Sequence, residues 1–284
     1  MDLEPEGIVP PDTDQGVGAD PVVRDIEQML ADGRLEQAVA AIDAAIRDGH
    51  GIASDLTFLR GDAYLGLGMA REAEAQFREV LRSDPDCPSS RCWLAMSLFL
   101  QWRFDEAQVA IEAARALPDA LADADVIAGC LLERRGEFEA AEGLFEHAAT
   151  AMPDKYVVPT RVSRNEFDKQ VQRAARGLPR QFRKSLDRVP VVVQDLPEEE
   201  LLEGEDRDEV SPDMLGLFDG VPLPETGDYD GALRPNRIYL FQRNLERMSA
   251  TREELDEQIR ITLYHELGHY LGFEEEDMDD LGLA

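Results

Sequence analysis

Small and bulky apolar residues return every 34 positions between about residue 57 and residue 157. Gly61, Ala95 and Gly129 share one register, Ala73, Ala107 and Ala141 a second, and Phe77, Ile111 and Phe145 a third. Gly68 and Gly136 close the first half of their units, whereas Trp102 stands at that place in the middle unit. An earlier unit, displaced by one residue, carries Gly33, Leu35, Ala38, Ile42 and Ala45. A period of this length is a helix, a turn and a second helix, stacked on its neighbours because no single unit can bury its apolar face. The small residues predict close helix contacts, and Phe77, Ile111 and Phe145 are expected to fill the seam to the neighbouring unit.

The period stops after Pro153 and other patterns take over. Phe167, Val171, Ala174 and Leu178 recur at helical spacing, with charged residues on the opposite face. The run VPVVVQ from Val189 predicts a short buried strand, and further short strands are predicted at Leu215 to Phe218 and where Ile238, Leu240 and Gln242 alternate with Tyr239 and Phe241. Leu255, Ile259, Leu263, Leu267 and Leu271 then draw a stripe spaced by four. That last helix is predicted to begin at Thr251, with Glu254 completing a capping box, and to end at Gly272. The pattern predicts a multidomain chain in which an all-α solenoid of about four units precedes a small α+β domain. Residues 1–19 form an acidic disordered tail in this reading, 20–157 the helical repeats, and 158–284 the second domain.

Charge narrows the partners. Sixty acids against 29 Lys and Arg give a net charge of −31 in 284 residues, a field that repels phosphate backbones and anionic lipid, so nucleic-acid and membrane partners are not expected. Nine basic residues between Arg161 and Arg188 are read as the solvated face of a helix, and the eight acids between Pro197 and Glu209 as a mobile loop. Residues 1–19 hold five acids, three prolines and no Lys or Arg, unlike a secretory signal. No window approaches the roughly 18 apolar residues of a membrane span, so the expected location is cytoplasmic. Cys87, Cys92 and Cys130 are expected to be reduced thiols.

The chemistry concentrates at the C-terminal end. His265, Glu266 and His269 form HELGH on the last predicted helix, and each histidine lies two positions beyond a leucine of the core stripe, so both point away from it. Imidazoles at i and i+4 project from successive turns on one side and can share one Zn²⁺. Gly272 can stop the helix in the left-handed conformation and fold the chain back, which makes Glu275 the expected third ligand, with Glu276 and Asp277 as neighbouring alternatives. The remaining position holds water, whose pKa zinc lowers toward ~7, and Glu266 is placed to take its proton as general base. By chance HExxH arises in about one in a hundred chains of this composition; with Gly at +7 and an acid at +10 it arises in about one in ten thousand. His50 and His147 lack a neighbouring ligand set and are read as ordinary surface or interface residues.

Two resemblances follow from these residues. Gly61, Tyr64, Ala73, Phe77 and Pro85 give the helical units a pattern similar to the tetratricopeptide repeat, or TPR, which implies a concave groove that binds a peptide or protein partner. The last 120 or so residues resemble a small bacterial family of minimal zincin-like metallopeptidases. LGLFDGVPLPE from Leu215, RIYLFQRNLER from Arg237 and TLYHELGHYLGFEEEDM carry that match. Glu275 stands where that family's HExxHxxGxxD motif has aspartate. Metzincins place a methionine turn beneath the metal, and Met278 comes too soon after Glu275 to build one.

The expected function is a zinc-dependent peptidase acting through a metal-activated water and Glu266, on a peptide or protein substrate that the TPR groove recruits. The strand from Ile238 to Phe241 is the expected place for extended substrate backbone to pair. The alternative is a non-catalytic TPR interaction protein with a structural or vestigial zinc site.

Overall fold

A computed structural model describes residues 20–118, 121–202, 210–223, 236–273 and 278. Eight helices come first: α1 (Pro21–Ala31), α2 (Leu35–Asp48), α3 (Ala53–Gly66), α4 (Ala70–Ser83), α5 (Pro88–Leu100), α6 (Phe104–Arg115), α7 (Ala122–Arg134) and α8 (Phe138–Ala151). They pair as four helix–turn–helix units, and one core runs through them from Ile26 to Phe145. The described residues divide into two compact units, one holding 20–151 with 210–211, the other 152–202 with 212–273 and 278.

Within the helical unit the glycine of the 34-residue register has a specific purpose. A Cβ on Gly61 would stand 2.8 Å from Phe77, and one on Gly129 would stand 2.5 Å from Phe145, so each glycine is the hole into which its own unit's phenylalanine fits. Phe77 also meets Phe58 of α3 edge-on at 5.6 Å. The rings therefore close the seam inside their own unit, where the periodicity alone had suggested the seam to the next.

Gly68 and Gly136 adopt φ of 72° and 76°, and Trp102 adopts 62° at the equivalent turn. A bulky residue pays strain in the left-handed region. Trp102 nonetheless is buried, and its indole N–H donates to the Val210 carbonyl at 2.7 Å. Phe104 packs on it at 5.7 Å, and the Arg134 guanidinium lies 5.0 Å above its ring.

The second unit is built on α9 (Arg164–Gly177), α10 (Arg180–Leu186), β1 (Val191–Gln194), β2 (Gly216–Asp219), β3 (Arg237–Phe241), α11 (Gln242–Arg247) and α12 (Arg252–Leu271). Ser163 and Glu166 close a capping box at the start of α9, and Pro179 separates α9 from α10. The sheet order is β1-β3-β2, parallel between β1 and β3 and antiparallel between β3 and β2. Ile238 and Leu240 face the core with Phe167, Leu255, Ile259, Leu263 and Leu267.

Three expectations change here. β3 ends at Phe241, and Gln242 opens a helix instead of continuing the alternation. Its amide reaches the Val162 carbonyl at 3.0 Å and the Glu246 carboxylate at 2.7 Å, contacts that a continuing strand would not make. β3 is also the central strand, bonded on both sides, so extended substrate cannot add to it; among the described residues the edges are β1 and β2. In the acidic segment, Glu199–Leu202 forms a 3₁₀ turn, and 203–209 lie outside the described residues. No described helix is long and apolar enough to cross a membrane.

Candidate metal and catalytic site

α12 positions the motif. Thr251 caps it by accepting the Glu254 amide at 3.1 Å, and the Glu254 carboxylate accepts from the Ala250 amide at 2.7 Å. Gly272 ends it with φ 79°, in the left-handed conformation that the fold-back requires. Leu255, Ile259, Leu263 and Leu267 are fully buried along one face, while His265 and His269 are half-buried, as their offset from that stripe predicts.

The histidines meet. Their rings lie 4.6 Å apart at 87°, with the two Nε2 atoms 3.1 Å from each other. Two nitrogens on one tetrahedral zinc at ~2.05 Å each stand about 3.3 Å apart, so the pair fits a shared zinc ion. A tautomer in which one Nε2–H donates to the other satisfies the same distance without an ion. Among the described residues no group of three or more His, Cys, Asp and Glu converges as a metal cage. Glu275, the expected third ligand, lies outside the described residues, with Glu276 and Asp277.

Glu266 is 7% exposed, between the two histidines in sequence and turned toward the sheet. A Cβ built on Gly216 of β2 would stand 2.9 Å from Glu266 Oε1 and Cγ and 2.6 Å from Thr262 Cγ2. On the other side, Met278 is fully buried and its sulfur would lie 2.3 Å from a Cβ on Gly268. The chain has therefore returned to the motif helix by Met278. Neither glycine contact was foreseen; the signal for the first was a glycine inside a short apolar strand, which marks close backbone approach.

The other candidates resolve into packing. Tyr270 is buried and packs against Phe218 at 5.7 Å with the rings tilted by 60°; the Tyr239 hydroxyl accepts from Arg237 at 3.2 Å. His50 pairs with Asp20 at 3.1 Å and His147 with Asp125 at 2.6 Å, far in sequence from the motif. Cys87 donates its thiol to Ser90 Oγ at 3.3 Å, and Cys92 and Cys130 are buried in the helical unit. Tyr264, beside His265, donates to the Ala174 carbonyl at 3.2 Å, and burial pushes its hydroxyl above the ordinary value, so it anchors α12 on α9 as a neutral phenol.

Two facing imidazoles and a buried carboxyl thus lie within five residues of one helix, packed on a three-stranded sheet. Residues 186–283 match the family described as zincin-like metallopeptidase, and residues 55–87 match the tetratricopeptide repeat. The chain thus carries a TPR repeat followed by a zincin-like metallopeptidase domain. No curated protein matches it.

Proposed function

We propose that the chain is a zinc-dependent peptidase whose helical repeats, residues 20–157, recruit a protein partner or substrate to a catalytic domain spanning 158–284. The observation that carries this reading is the 3.1 Å approach of His265 and His269 Nε2 on the same helix as the buried carboxyl of Glu266. His265 and His269 would hold one Zn²⁺, with Glu275 as third ligand; of the residues that bracket Glu275 in sequence, Gly272 ends the motif helix and Met278 packs against it. When bound, the ion supplies Lewis acidity toward water and a scissile carbonyl.

The chain's own residues do the rest. Glu266 accepts a proton at its carboxylate during attack and returns it to the leaving amine. Its burial against β2 keeps bulk water from competing for that oxygen. Among the described residues β2 has no strand partner on its far side, and it is the edge nearest Glu266, so extended peptide pairing there would run beside the carboxyl.

Purified wild type and Glu266→Gln are compared for zinc content and for cleavage of a diverse peptide library. Equal zinc with cleavage only by wild type is expected; zinc-loaded wild type that cleaves nothing removes the peptidase reading in favour of a structural zinc site.

A further inference from the structure

We propose that Gly216 is a positioning residue for the Glu266 carboxyl, an inference that deepens the peptidase reading and rests on it. β2 alternates, with Gly216 and Phe218 turned toward α12 and Leu217 and Asp219 toward the other face. Phe218 fills its place against Tyr270. At Gly216 the place is taken by Glu266 and Thr262, at distances of 2.9 Å and 2.6 Å from where a Cβ would be. Gly216 is not among the residues of positive φ, so its backbone would accept alanine, a better strand former. What excludes a side chain is Thr262 Cγ2 together with Cγ and Oε1 of Glu266.

The ladder gives this contact its meaning. The Phe241 amide donates to the Leu215 carbonyl at 2.9 Å, and Gly216 is opposite Leu240. In an antiparallel pair the next residue's own N–H and C=O then point away from the partner strand. Gly216 therefore directs a backbone donor and acceptor to the far side of β2 while its missing side chain seats Glu266 Oε1. One residue sets the distance between a pairing edge and the proton-accepting oxygen, and a general base loses effect when misplaced by about 1 Å.

The test is a cycle in the full-length chain. Thr262→Ser removes Cγ2, the tightest contact, and leaves Glu266 as the group that Gly216→Ala would strike. Melting of the α+β unit is measured for Thr262→Ser, with and without Gly216→Ala, in the Glu266 and Glu266→Ala backgrounds. Gly216→Ala is expected to lower Tm by about 3 °C or more when Glu266 is intact, and by under about 1 °C when its side chain is cut back. In the Glu266 background it is also expected to lower kcat by roughly 10-fold to 100-fold, with KM within about twofold and zinc content unchanged.

Equal Tm losses in both backgrounds, or an unchanged kcat in an active enzyme, overturn the proposal. Coupled Tm losses in a zinc-loaded wild type that cleaves nothing overturn the peptidase reading alone, and Gly216 stands as the residue that seats the Glu266 carboxyl.

Discussion

Three side chains within five residues, His265, Glu266 and His269, make up the described part of the proposed site. His265→Ala removes one of two facing nitrogens and is expected to abolish tight zinc binding, read by metal analysis after dialysis. Glu266→Gln preserves shape and is expected to lower kcat by about 10² to 10⁴ with zinc retained, because an amide cannot accept the proton. Between Glu266 and His269, Gly268 has no room for a side chain: a methyl there would meet Met278 at 2.3 Å. Gly268→Ala is expected to lower the melting temperature of the α+β unit, and Met278→Ala in the same chain to recover part of that loss. Failure of the second change to recover any would place the strain elsewhere. The sequence shows both histidines and the glutamate, because helical spacing alone puts them on adjacent turns. It does not show Met278 as a contact of the motif, since the return of the chain depends on how the turn after Gly272 packs.

At the scale of the element, Trp102 sets strain against anchoring. The left-handed turn costs a non-glycine residue about 1–2 kcal/mol, while truncating a buried tryptophan costs about 3–5 kcal/mol. Trp102→Gly is therefore expected to destabilise the helical unit by about 1–4 kcal/mol in denaturant melts, with the helix content of the folded state retained, since Gly68 and Gly136 make the same turn. A more stable variant would mean that the indole contributes little.

α4 and α5 are joined through Glu74 of α4, where burial favours the neutral acid. Hydrogen bonds from Gln101, Arg78 and Arg103, with the Arg103 charge, outweigh that and hold its carboxyl below its ordinary value of 4.5. A depressed carboxyl contributes stability above its unfolded value and loses it as pH falls through the folded one. Lowering pH from about 5 toward 3 should thus destabilise the helical unit less in Glu74→Gln than in wild type; parallel melting curves would refute this.

At the scale of the whole molecule, the two units have separate cores, so loss of one is expected to spare the other. A chain lacking residues 1–157 is expected to cleave short peptides still, and to show a raised KM for a natural protein substrate, measured by steady-state kinetics on both. An unchanged KM for the protein substrate would remove recruitment from the repeats' role.

The four repeat pairs, the strands, the cap at Thr251 and the stop at Gly272 are legible in the chain because each follows from local spacing: 34 residues per stacked unit, two per strand alternation, four per helical turn. Strand order is not local. That β3 is central and that β2 is an edge among the described residues emerges only when α12 packs over them, and this selects β2 as the strand proposed to meet a substrate. The same holds for Gly61, Gly129 and Gly216. Sequence marks each as small, whereas only three-dimensional packing reveals what fills the space a side chain would take: a phenylalanine ring in the repeats and, beneath β2, the side chains of Thr262 and Glu266.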